Sequence, residues 1–332
     1  MKILASALLG ALLCLAAVPA QAIQPNDPLF PQQWGFEAAG ITAAWNDSFG
    51  GVPEVKVAVL DNGCAYDIAD FAGTNFDRAM AWDFYYDDGD VYNPNDHGTQ
   101  VTAVLAQTTD NNLGAAGVAF NTTILPLKVT SDAKKGHTYD ISTTAMVEAI
   151  DYAVDWGADI INISLGADDD PALEEACQRA YDAGVLVVCA AGNGSNSEEN
   201  QDFIPPQAPA LYATTLTVAN LLGYKQLEVH SQVAWDEGGP GVCAPGTLIT
   251  QETQYGAETY TGTSMATPLV SGGAALLLSA ALDRGLDLPE GPARVEWLLS
   301  LLFGSAEDLG PVGVDHMYGW GMVHIDRAMD LL

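Results

Sequence analysis

The chain has 332 residues and carries 43 acidic against 11 basic side chains, a formal net charge of −32. One large domain of this size buries roughly three quarters of its unfolded surface, so no disulfide or metal staple is needed to hold a core. Like-charge repulsion excludes nucleic acid and anionic membrane as partners, and most of the acidic excess reads as a solvated, salt-tolerant surface.

Residues 1–22 stand apart. Met1-Lys2 is followed by an apolar run over 3–18 and then Ala20-Gln21-Ala22, the pattern of a secretory signal peptide with a small-x-small cleavage site. The mature chain then begins at Ile23 as one domain over 23–332, secreted or periplasmic, with no stable membrane span after cleavage. An uncleaved anchor is the rival reading, for which the run is short. Cys14 belongs to that run. Cys64, Cys177, Cys189 and Cys243 lie in apolar or small-residue settings with no CxxC pair; export permits disulfides, but they read as buried free thiols.

From residue 23 to 34, IQPNDPLFPQQW has three prolines and no period, an extended arm laid on the domain. A short helix is expected over 41–45, then a β-branched strand over 55–60 running into Asp61-Asn62-Gly63. A carboxylate at the carboxyl end of a buried strand sits where open α/β sheets place ligands. A loop rich in Asp, Tyr and Asn (83–96) leads to Asp96-His97-Gly98-Thr99 and a small-residue helix over 100–107. Next come a polar loop (108–117), a strand (123–129), a charged loop (131–139) and a helix over 143–156 with apolar residues near the helical period. Residues 159–165 form a strand ending in Ser164-Leu165-Gly166; 173–183 are helical; 185–191 form a strand ending in Gly192-Asn193-Gly194. Strands around 214–219 and 241–245 precede Gly262-Thr263-Ser264-Met265-Ala266-Thr267-Pro268 and an apolar run over 269–282 without a charged residue, a buried helix with a serine at its start. A helix over 293–302 and a short one near the end close the chain. Alternating strands and helices predict an α/β fold in three layers, a mostly parallel central sheet with helices on both faces.

Serine becomes a useful nucleophile when a base takes its proton, and histidine serves best when a carboxylate fixes its tautomer. Asp61 ends a strand, His97 and Ser264 each stand at a helix start where free N–H groups favour an oxyanion, and Asn193 offers an amide donor. Taken singly, Asp61 and Asn193 are ordinary turn residues, and His97, Thr263 and Ser264 ordinary helix-start or capping residues.

Together, VAVLDNG around Asp61, DHGT around His97, VVCAAGNG around Asn193 and TGTSMATP around Ser264 resemble the motifs of the subtilisin-like serine endopeptidases, the subtilases, in the family's order. The likeness extends to NDPLFPQQW, similar to the arm of the thermitase and kexin branches, and to YGWGMVHIDRA, similar to the closing stretch. It implies a subtilisin-like fold, Ser264 as nucleophile, His97 as base then acid, Asp61 as its orienting partner, and Asn193 with the Ser264 N–H as oxyanion donors. It also implies that Ser164, Leu165 and Gly166 pair with an extended protein or peptide substrate as an added strand. The same resemblance implies a calcium ion held by Asp27, Asp70, Asn111 and the carbonyls of Thr108, Leu113 and Ala115, hard oxygens of mixed kind that suit this cation. Asp83, Asp88 and Asp90 are either a second such site or a solvated acidic loop. Asp168-Asp169-Asp170 lie where kexin-like enzymes select basic side chains, but before Pro171 they equally describe an acidic helix start.

Gln100, Leu269 and Asn62 depart from residues the family usually has, and Asn62 is expected to alter the hydrogen bonds at Asp61. No inhibitory pro-segment is evident between the leader and the arm, so folding proceeds unaided or with a separate helper or inhibitor chain; the enzyme is expected to be a monomer. Two alternatives remain. Gly262-Thr263-Ser264-Met265-Ala266 imitates the G-x-S-x-G elbow of α/β-hydrolases, which would recruit Asp308 or Asp315 with His316 or His324. The other is a subtilase fold serving as a non-catalytic binding module.

Overall fold

The computed structural model describes residues 23–93, 95–134, 137–194, 204–223, 225–234, 239–247 and 249–332. The expected leader at 1–22, with Cys14, lies outside the described residues.

Strands β1 (Lys56–Asp61), β2 (Asn75–Phe76), β3 (Trp82–Asp83), β4 (Thr123–Lys128), β5 (Ile160–Ile163), β6 (Leu186–Ala190), β7 (Thr215–Leu221) and β8 (Gly241–Pro245) form one parallel sheet. Its order is β2-β4-β1-β5-β6-β7-β8, with β3 also paired to β4. Helices α1 (Trp34–Ala38), α2 (Ile41–Ala44), α3 (His97–Ala106), α4 (Thr143–Trp156), α5 (Pro171–Asp182), α6 (Thr263–Asp283), α7 (Pro292–Ser305) and α8 (Ile325–Met329) accompany it, and β9 (Ile249–Thr253) with β10 (Gly256–Tyr260) makes a separate antiparallel hairpin.

The strands are apolar on both sides because both sides are covered. Val57 and Val59 of β1, with Leu186 and Val188 of β6, join the core shared with α3, α6 and α7. Their neighbours Ala58 and Leu60, with Val187 and Cys189, face the core under α4 and α5. That alternation is the period of two that extended backbone imposes. Helix α6 is long and apolar enough to cross a membrane, but 94% of that window is buried inside the protein. Here it is the central helix of a globular core. Cys64, Cys177, Cys189 and Cys243 are all buried and free.

Three details differ from the sequence expectation. Helix α3 begins at His97, three residues before the expected start. A 3-10 turn, Phe30–Gln32, stands within the arm read as extended, and α1 begins at the arm's last residue. The β9–β10 hairpin was not expected at all: Gln251, Glu252, Thr253, Glu258 and Thr259 blur its apolar alternation, and only pairing with each other and packing on α3 makes these strands.

Candidate active site

Strand β1 delivers Asp61 to the carboxyl edge of the sheet, and α3 starts with His97 directly opposite. Asp61 is 1% exposed, and its Oδ1 accepts from His97 Nδ1 at 2.8 Å and from the Asn62 N–H at 2.7 Å. A carboxylate against Nδ1 holds the imidazole proton there, which leaves Nε2 as the acceptor. Burial disfavours the imidazolium, but the Asp61 charge and hydrogen bond, with Asp96, outweigh it and raise the His97 pKa above the ordinary 6.5. Asn62 makes its own bonds beside the carboxylate. Its amide donates to Asn95 Oδ1 at 2.9 Å and accepts the Gly98 N–H at 2.8 Å, and Asp61 Oδ2 is buried with no hydrogen-bond partner among the described residues.

Helix α6 presents Ser264 in its first turn, where its N–H has no intrahelical acceptor. Strand β6 ends just before Asn193, whose Oδ1 accepts from the Thr263 N–H at 3.0 Å and the Thr263 hydroxyl at 3.2 Å. Those two bonds fix the amide's orientation, and among the described residues Nδ2 has no acceptor. The Ser264 hydroxyl donates to the Ser164 carbonyl at 3.2 Å, and among the described residues no hydrogen bond joins it to His97.

A second bond ties the same two segments. Pro268 lies inside α6, so the Ser264 carbonyl four residues earlier lacks its helical N–H donor. The Ser164 hydroxyl donates to that carbonyl at 3.1 Å and accepts from Asn162 Nδ2, also at 3.1 Å. The expected substrate segment Ser164, Leu165, Gly166 is thereby clamped to the serine helix, with Leu165 buried in the core below.

Several contributors carried no motif. Asn95 accepts the His97 N–H at 3.1 Å, a turn bond that the Asn-Pro-Asn-Asp run could have signalled. The Tyr139 ring lies 6.4 Å from the imidazole, and the Tyr260 hydroxyl on β10 donates to Asp96 Oδ2 at 2.7 Å. The residues an α/β-hydrolase would recruit are engaged elsewhere: His324 pairs with Glu307 at 3.0 Å, and Asp315 accepts the N–H groups of Met317 and Tyr318.

Of the expected calcium residues, Asp27, Asp70 and Asn111 come together. Asp27 and Asp70 are 2% and 1% exposed and meet the same loop. Asp27 accepts the N–H groups of Asp110 and Asn111; Asp70 accepts the Asn111 amide at 2.8 Å and the Ala115 N–H at 2.9 Å. The carbonyls of Thr108, Leu113 and Ala115 accept no hydrogen bond among the described residues. Burial, with the Asp27 and Glu252 charges behind it, pushes Asp70 up to about 6, although the Asn111 and Ala115 bonds oppose this. Gly114, at φ +37, packs against Asp70 so closely that a Cβ would lie 2.0 Å from its carboxylate. Two buried carboxylates and three unused carbonyls fit a hard cation; the Asn111 amide, which now turns its nitrogen to Asp70, would have to reverse. Asp83 is different. It is buried and paired with Lys128 at 2.6 Å, while Asp88 and Asp90 cap turns in their own loop. An internal ammonium thus stands where a second calcium site was weighed.

A parallel sheet carrying a carboxylate-anchored imidazole at one strand end, with a serine at a helix start and a fixed amide beside it, has the architecture of a serine-type peptidase. A family model described as the Subtilase family matches residues 53–321, and the chain belongs to that family. It is 34% identical to thermitase of Thermoactinomyces vulgaris, over 77% of this chain and 85% of that protein. To halolysin of Haloferax mediterranei it is 35% identical over 76% of this chain but only 47% of that longer protein. In structure it is similar to the prenylagaramide maturation protease PagA, with a TM-score of 0.71 and 27% identity over 88% of this chain and 97% of the other. The names of further relatives are divided between extracellular and intracellular proteases.

Proposed function

We propose that this subtilase is an exported, monomeric endopeptidase whose acyl transfer runs through Ser264, His97 and Asp61, with residues 1–22 as leader and 23–332 as the catalytic domain. The observations that carry the reading are the 2.8 Å Asp61–His97 bond and a serine at a helix start next to a residue whose backbone holds the Asn193 amide in place. In the resting arrangement the hydroxyl rests on the Ser164 carbonyl. Rotation about its Cα–Cβ bond redirects it to His97 Nε2, which takes the proton as Oγ attacks the acyl carbon. The imidazolium is stabilised by Asp61 and then protonates the leaving amine. Asn193 Nδ2 and the Ser264 N–H receive the oxyanion. The substrate lies extended along Ser164, Leu165 and Gly166, so affinity comes from backbone pairing. Asp27, Asp70 and Asn111, with the carbonyls of Thr108, Leu113 and Ala115, would hold a calcium ion, whose charge would offset the two buried carboxylates and tie the arm to the loop over 108–115.

A small fluorophosphonate tests this directly. Labelling is expected at Ser264, detected by peptide mass mapping, and lost in His97→Ala. Equal labelling of both proteins, or labelling at another residue, sinks the assignment.

A further inference from the structure

Helix α3 is not capped by the residue at its own cap position. Asp96 stands there without a capping bond, and its Oδ2 accepts the Tyr260 hydroxyl instead. The first N–H groups of a helix have no intrahelical acceptor and need partners when buried. Two asparagines supply them. Asn95 Oδ1 accepts the His97 N–H at 3.1 Å, and Asn62 Oδ1, reaching across from the end of β1, accepts the Gly98 N–H at 2.8 Å. Asn62 Nδ2 donates to Asn95 Oδ1 at 2.9 Å, which joins the two caps into one unit. Each side-chain carbonyl receives a backbone N–H, so both amides can point only one way. Both residues are buried.

Strand end and helix start meet at close range. A Cβ on Gly98 would lie 2.0 Å from the Gly63 carbonyl oxygen and 3.0 Å from Asn62 Oδ1 and from the Asp61 Cβ. Backbone cannot give way there, so only glycine lets α3 come this near to β1. The Asp61 carboxylate, by contrast, is thinly held. Its donors, the Asn62 N–H and His97 Nδ1, both meet Oδ1, and Oδ2 has no partner among the described residues. Nothing on the carboxylate itself can therefore set where the imidazole stands; the seating of α3 on β1 must do so.

We infer that Asn62 and Asn95 are positioning residues for His97: their joined amides clamp the first turn of α3 to the end of β1 and so hold the imidazole against Asp61. The inference rests on the peptidase reading above and names what keeps its base in place. The ionisable groups facing His97 are Asp61 from β1, Asp96 at its own helix start and Tyr139 from the loop before α4. Burial raises the Tyr139 hydroxyl above its usual value and pushes the Cys64 thiol, beside Asp61, up to about 12, so both stay neutral. Burial lowers the His97 pKa, and the charge and hydrogen bond of Asp61, with Asp96, outweigh it. A loosened clamp weakens the Asp61 contribution and leaves the burial, so the His97 midpoint falls.

The test uses the full chain carrying Ser264→Ala and isotope-labelled histidine, with the His97 resonances assigned by their loss in His97→Ala. Asn62→Ala and Asn95→Ala are each expected to lower the His97 titration midpoint by roughly half a pH unit or more, and to speed exchange of the Nδ1 proton. The double variant is expected to move the midpoint no further than the larger single change, because both substitutions break one unit. With Ser264 in place, each single variant is expected to lower kcat/KM roughly ten- to a hundredfold, as misplaced catalytic groups do. A lower melting temperature with an unmoved midpoint, or shifts that add in full, overturns the proposal. Should neither variant fold, the parent decides: the His97 and Gly98 amide protons are expected to resist exchange, and loop-like exchange at both overturns the clamp. The titration is read in a chain that cuts nothing, so it stands apart from the peptidase reading. An unmoved midpoint beside a fluorophosphonate-labelled Ser264 defeats the clamp alone, and a shifted midpoint beside an unlabelled Ser264 defeats the peptidase reading alone.

Discussion

Replacing Ser164 by Ala removes a hydroxyl that two buried groups depend on. The Ser264 carbonyl loses its donor at 3.1 Å, and Asn162 Nδ2 loses its acceptor at the same distance. Each buried polar group left without a partner costs about 1–3 kcal/mol, so Ser164→Ala is expected to destabilise the fold by about 2–4 kcal/mol. Half of that cost has a specific remedy. The carbonyl needs Ser164 only because Pro268 has no N–H; Pro268→Ala restores an ordinary helical donor at that point. In the Pro268→Ala background Ser164→Ala should therefore cost about 1–2 kcal/mol less, a coupling that a double-mutant cycle isolates. Urea unfolding of the four proteins, all carrying Ser264→Ala so that self-digestion cannot intervene, measures it. A coupling within about 0.3 kcal/mol of zero, below the usual error of such cycles, would refute the claim that the proline hands the Ser264 carbonyl to the substrate segment.

Asn193→Ala should lower kcat about 10²- to 10³-fold with little change in KM, the loss of one oxyanion donor as measured in a member of this family; a fall in KM-linked binding alone would argue against that role. The acid limb of kcat/KM should lie above pH 6.5, because His97 must be neutral to accept a proton and its pKa is raised. Asp96→Asn removes one of the charges that raise it, so the limb should move to lower pH, and a limb that stays put would show that Asp96 does not reach the imidazole. Calcium is expected to raise the melting temperature of the parent chain and not of Asp70→Asn, read by fluorescence with and without chelator. Equal responses in the two proteins would place the ion elsewhere.

The triad candidates were legible in the sequence because each sits where a period breaks: Asp61 after a β-branched run, His97 and Ser264 before small-residue helices. The two-sided sheet was legible for a similar reason, since continuous apolar strands have no solvent face to mark. What stayed hidden depends on chain segments far apart in sequence. Gln207 and Gln232 are unremarkable in their own loops, and only the fold brings both side chains beside Gly192. The link from Ser164 to Ser264 was equally invisible: Pro268 read as a helix-start residue of the motif, and nothing local says which distant hydroxyl replaces its missing N–H. Nothing around Lys128 marks it as internal, yet it is 2% exposed and paired to Asp83.

The four buried thiols give the protein a built-in reporter. Burial pushes Cys64 and Cys177 up to about 12 and Cys189 and Cys243 well above the ordinary range, so in the closed fold almost no thiolate exists to meet an alkylating reagent. Cys64 packs beside Phe71, while Cys177 and Cys189 share the core under α4 and α5. Alkylation rates at individual cysteines, read by mass, would therefore time how often each part of the molecule opens, with no dye or engineered probe. Reducing agents, by the same token, find no cross-link to cut among these four.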